Sequence, residues 1–98
     1  MTVTREDLVR QLNCPREMAD HRVAYWTRIG LLQPLDGQWP GTGHHRRYPD
    51  SALADVRLLA LMANLGVALP LQKIALALAD EQRAELRFAL RTVLRLLT

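Results

Sequence analysis

The stretch Val23 to Leu32, V-A-Y-W-T-R-I-G-L-L, constrains this chain more than any other. Val23, Trp26 and Ile29 recur at helical spacing, and Gly30 then stands where a left-handed helix cap is needed. A helix ends there. Leu31 and Leu32 follow with no polar break, so the chain leaves the helix as a short extended segment anchored in the core. From Gln33 to Gly43 it carries Pro34, Asp36-Gly37, Pro40-Gly41 and Gly43, punctuation dense enough to exclude a helix. The spacing predicts a hairpin with a long tip, with short strands near Leu31 to Leu35 and His45 to Tyr48 and Trp39 in the tip.

Upstream, Thr4-Arg5-Glu6-Asp7 reads as a helix start with a hydroxyl cap and acids in the first turn, and Leu8, Val9 and Leu12 supply its inward face. Asn13-Cys14-Pro15 breaks that helix, because the residue before proline is pushed out of the helical region. The next helix runs from about Pro15 or Arg16 to Ile29, with Ala19, Val23, Trp26 and Ile29 inward. His21, Arg22, Tyr25 and Arg28 fall on its other faces, where a ligand can reach them. Downstream, Pro49-Asp50-Ser51 caps a helix with Leu53, Val56, Leu59, Ala60 and Ala63 on one side, which stops at Asn64-Leu65-Gly66. Pro70 opens another at about Leu71 to Ala79. A last helix starts at Asp80 and carries Leu86, Leu90, Val93 and Leu97 at heptad-like spacing. The plan is mostly α: a winged helix-turn-helix with a two-stranded β-hairpin wing, a second helix pair and a C-terminal helix.

Composition narrows the chemistry. The chain has 98 residues, enough for one domain with a modest core. Its 13 Lys+Arg against 10 Asp+Glu give a net charge of only +3, so the pI of 9.8 overstates how basic the surface is. All but one of these cations are arginine, whose planar fork of donors suits phosphate, although nucleotide composition alone produces the same bias. The single cysteine, Cys14, cannot form an intrachain disulfide, and no basic-then-apolar signal pattern opens the chain. A reducing cytoplasm is the expected compartment. No apolar run approaches the roughly 20 residues a membrane span requires.

Catalytic signatures are missing: there is no phosphate-cradling glycine loop, nucleophile elbow or nameable carboxylate pair, so no enzyme is expected. His44-His45 lacks a Cys or a second spaced His to complete a tetrahedral set, and neither a metal nor a cofactor is expected. Arg46 and Arg47 alternate on a strand, so at most one of them lies along a given phosphate row. Tyr48 either bonds a phosphate or caps the core, and Tyr25 divides the same way while Trp26 fits the buried phase. In the last helix Arg83, Arg87, Arg91 and Arg95 recur every fourth residue. That stripe reads as a solvated face, a second phosphate-tracking surface or a dock for an acidic partner.

With these residues in view, the chain resembles the DNA-binding domain of the MerR family. The matching pieces are Val23-x-Tyr25-Trp26-x-Arg28-Ile29-Gly30-Leu31-Leu32, then His45-Arg46-Arg47-Tyr48, Leu53, Leu65-Gly66, Leu71 and Ile74, covering most of residues 4 to 79. The resemblance implies that the second helix enters the major groove and that the wing touches the flanking backbone. Three departures stand out. About four more residues than in the family pattern precede Val23, close to one helical turn, so either the recognition helix begins a turn early or Asp20 caps a helix of family length after a longer turn. Ala24 stands where an arginine usually precedes the aromatic pair, which leaves Arg22 or His21 to replace that contact. The link between Gly66 and Leu71 is also longer.

Residues 1–79 are therefore expected to form a MerR-like winged helix-turn-helix that binds double-stranded DNA through Arg16, His21, Arg22, Tyr25, Arg28, His45, Arg46, Arg47 and Tyr48. Residues 80–98 are expected to form an amphipathic helix offering Leu86, Leu90, Val93 and Leu97 to a second subunit or a protein partner. The implied role is a small transcriptional regulator or an excisionase-like architectural factor without an effector-sensing domain of its own. The alternative is a protein-interaction adaptor that kept the fold and lost the DNA.

Overall fold

The computed structural model describes residues 2–35 and 47–97. Seven elements follow in order: β1 (Thr2–Thr4), α1 (Arg5–Arg10), α2 (Arg16–Arg28), β2 (Arg47–Pro49), α3 (Ala52–Asn64), α4 (Leu69–Leu76) and α5 (Asp80–Leu97). This is the mostly α, winged helix-turn-helix class expected from the sequence. Two compact units divide the chain, Met1–Arg57 and Leu58–Thr98, with α3 running through the division.

In the first unit Thr4 closes a capping box on α1. Its hydroxyl accepts from the Asp7 amide at 3.2 Å while its own amide donates to Asp7 Oδ2 at 2.9 Å, so two otherwise orphaned donors are satisfied together. Helix α2 starts at Arg16 with Pro15 as its cap, and Asp20 lies inside it. Of the two starts open from the sequence, the early one is observed, and Asp20 is not a cap. The helix ends as expected: Gly30 has φ +87°, the Leu31 amide reaches Trp26 O at 2.9 Å and the Gly30 amide reaches Thr27 O at 3.2 Å. These two bonds make a Schellman cap, a geometry that favours glycine.

The strand pairing differs from expectation. Leu31 to Leu35 form no strand, and β2 pairs instead with β1, antiparallel, with Val3 opposite Tyr48 and Thr4 opposite Arg47. Pro34 has no amide to give a ladder, which limits what that segment can pair. Only the base of the expected hairpin persists in the described residues, where the Leu35 amide donates to Arg47 O at 2.8 Å. Trp39, His44, His45 and Arg46 lie outside the described residues.

Val3, Leu8, Val9, Leu12, Ala19, Val23, Trp26, Leu32, Tyr48, Ala52 and Val56 form the core of this unit. Ile29, expected inside, is half-buried because the helix is already ending there. The second unit buries Leu58, Leu59 and Met62 of α3 and Gln72 and Ala75 of α4. Leu53, Ala60 and Ala63, assigned inward from the sequence, are half-buried, and the buried phase passes through Leu58 and Met62. Gly66, at φ +73°, caps α3 as Gly30 caps α2, with the Val67 amide on Met62 O at 2.9 Å. Helix α4 starts two residues before its expected position, at Leu69, which puts Pro70 within the first turn, where no amide is required.

Candidate nucleic-acid interface

Helix α2 follows α1 after a tight turn and buries Ala19, Val23 and Trp26. That burial fixes which residues point outward. Met18, His21, Tyr25 and Arg28, at successive steps of three, four and three residues, are exposed along one face. Ala24 is exposed beside them and adds no hydrogen-bonding group. The Arg28 guanidinium stands 5.5 Å from the centre of the Tyr25 ring, a cation–π distance that holds both tips at the same end of the face. Of the residues expected to touch DNA, the structure brings His21, Tyr25 and Arg28 together here. Arg22, one position round from His21, is half-buried at the margin and engaged within the chain. Sequence reasoning passed over Met18, although its spacing from His21 and Tyr25 already places it on their face.

Arg16, at the start of α2, is exposed but ion-paired. Its Nη2 lies 2.8 Å from Glu6 Oε2, and its Nε donates to Asp20 Oδ2 at 3.3 Å. The close contact with Glu6, followed by the hydrogen bond to Asp20, raises the Arg16 pKa above its ordinary value.

At the wing base, Arg47 is exposed on β2 and the next residue points the other way. Tyr48 corrects its assignment as a DNA contact: it is 1% exposed and faces the core. Its hydroxyl lies 2.9 Å from Thr27 Oγ1, and Thr27 Oγ1 in turn donates to Val23 O at 2.8 Å. Because Thr27 has one hydroxyl proton, Tyr48 is the donor of the pair. Of the two readings open for Tyr48, packing with an internally satisfied hydroxyl is the one observed. His45 and Arg46, the other wing residues assigned to DNA, lie outside the described residues.

In the second unit, α5 buries none of its residues. Leu86 and Leu90 are half-buried against a groove of about 310 Å³ shared with Leu71, Ile74 and Leu78, while Val93 and Leu97 are 45% and 72% exposed. Leu71 and Ile74 extend the apolar surface at 56% and 61% exposed. Among the described residues no cluster of three metal-ligating side chains occurs, and no helix is long and apolar enough to cross a membrane.

No curated protein and no solved structure matches the chain. A family model described as MerR HTH family regulatory protein matches residues 5–80, which contain α1, α2, β2, α3 and α4. With that match spanning most of its length, the chain belongs to the MerR helix-turn-helix family of DNA-binding regulators.

Proposed function

We propose that the protein binds double-stranded DNA sequence-specifically as a small transcriptional regulator, with α2 in the major groove and the wing on the flanking backbone. The observation that carries this reading is the exposed row Met18, His21, Tyr25 and Arg28 on a helix whose opposite face is locked into the core. A row of this length meets base edges over a few successive pairs, and its histidine and arginine supply the donors that base readout requires. Arg22 and Arg16 flank it, and Arg47, His45 and Arg46 supply the backbone contacts of the wing. Residues 1–79 are the DNA-binding domain in this reading, and 80–98 supply Leu86, Leu90, Val93 and Leu97 to a homodimer or to a protein partner. An excisionase-like architectural role uses the same surface, and a cytoplasmic location accords with a lone free thiol.

The apolar surface on α4 and α5 favours a second reading, a protein-interaction adaptor. Selection of bound sequences from a random duplex pool separates the two. An enriched motif supports the regulator, whereas the absence of enrichment at low salt supports the adaptor.

A further inference from the structure

Arg16 opens α2 with 64% of its side chain exposed, yet its guanidinium is occupied on two sides by Glu6 of α1 and by Asp20 one turn further along α2. Asp20 is held in turn by Arg5, whose Nη2 donates to the Asp20 carbonyl at 3.1 Å and stands 3.9 Å from its Oδ1. Two carboxylates thus balance two guanidiniums around an open cleft of about 360 Å³. The cluster is electrically neutral at the start of the helix that is read above as entering the groove.

Carboxylate and phosphate offer a guanidinium the same kind of paired acceptor oxygens, so one can replace the other without changing the donor geometry. Exposed ion pairs are weak, which keeps the competition close. A guanidinium keeps its charge throughout, so the contact changes only by exchange of partner.

We propose that Glu6 and Asp20 are specificity-determining residues that stand in for DNA phosphate in the free protein and withhold Arg16 from the backbone of non-cognate duplex. The inference rests on the DNA-binding reading. Non-specific affinity is dominated by the number of phosphates contacted, so withholding one cation lowers it directly. On a cognate site the seated α2 brings a phosphate close enough to displace the carboxylates.

The test is a fluorescence-anisotropy titration of the full chain over a range of salt concentrations, with an arbitrary-sequence duplex and with a duplex enriched by selection. Glu6→Gln and Asp20→Asn should each tighten binding to the arbitrary duplex several-fold and steepen the dependence of log K on log salt by about 0.9, the value for one phosphate. The preference for the enriched duplex should narrow. Adding Arg16→Gln to Glu6→Gln should cancel the gain, and Glu17→Gln, which removes a neighbouring exposed carboxylate, should leave the slope unchanged. Glu6→Gln is the decisive variant if Asp20→Asn loosens Arg5 and unfolds the domain. An unchanged slope in Glu6→Gln, or an equal change in Glu17→Gln, overturns the proposal while leaving DNA binding intact. Failure of the unaltered protein to bind any duplex at low salt removes the DNA-binding reading and this inference together.

Discussion

The Tyr48 hydroxyl donates to Thr27 Oγ1 at 2.9 Å and so ties β2 to the last turn of α2. Tyr48→Phe removes that bond and leaves Thr27 bonded to Val23, so the loss should be about 1 kcal/mol. Tyr48→Ala also empties a core site and should cost about 3 to 5 kcal/mol. Urea unfolding of both variants measures the difference.

The capping box predicts an acid-sensitive helix start. Asp7 has its pKa lowered, chiefly by the backbone hydrogen bond from Thr4 and then by the side-chain one. A carboxyl whose folded pKa lies below its unfolded value contributes stability that is complete above the unfolded value and disappears as pH falls through the folded one. Stability should therefore decline below the ordinary carboxylate range, and Asp7→Asn should flatten that decline. Thr4→Ala should cost about 1 kcal/mol at neutral pH. Chemical denaturation at a series of pH values tests both.

Gly30 and Gly66 should resist substitution for backbone reasons alone. Both have positive φ, and a Cβ built at either meets no atom within 4 Å. Alanine at each should cost roughly 1 to 2 kcal/mol without any clash, because only the left-handed conformation is penalised. If thermal melts show either variant unchanged, the Schellman caps are not holding those helix ends.

Reading and anchoring should separate in DNA binding. His21→Ala and Arg28→Ala should relax preference at one or two base positions, with about 1 to 3 kcal/mol of discrimination lost for a bidentate contact. Arg47→Ala should weaken binding to all sequences alike and reduce the salt slope by about one. Repeating the pool selection on each variant distinguishes these outcomes, and a changed motif with Arg47→Ala would mean that the wing reads a groove.

Helix α5 should respond to charge on its open face. Val93→Glu and Leu97→Glu alter exposed side chains and should leave unfolding unchanged within about 0.5 kcal/mol. If this face holds a second subunit, both should lower the dimer fraction in analytical ultracentrifugation. Equal sedimentation of variant and parent would remove the face as a self-association surface.

Much of this was legible in the sequence because the deciding residues act locally. The Thr4 cap, the Pro15 break and the glycines at 30 and 66 act within a few residues of themselves, and each ends or begins a helix where expected. Strand β1 was not legible, since three residues are too few to display an alternating pattern and its partner lies more than forty residues away. Tyr48 was undecided for a related reason: its acceptor, Thr27, is a neighbour only after folding. The Arg16–Glu6 pair was also out of reach, because it crosses from α2 to α1, whereas Arg16 and Asp20 stand one turn apart on the same helix. On α2, by contrast, one helical period sufficed to group His21, Tyr25 and Arg28.

The pairing of β1 with β2 makes the first residues of the chain part of the wing's foundation. A missense change that disturbs Thr2 to Thr4, such as one at Val3, is felt at Arg47 through the backbone ladder, with no DNA involved.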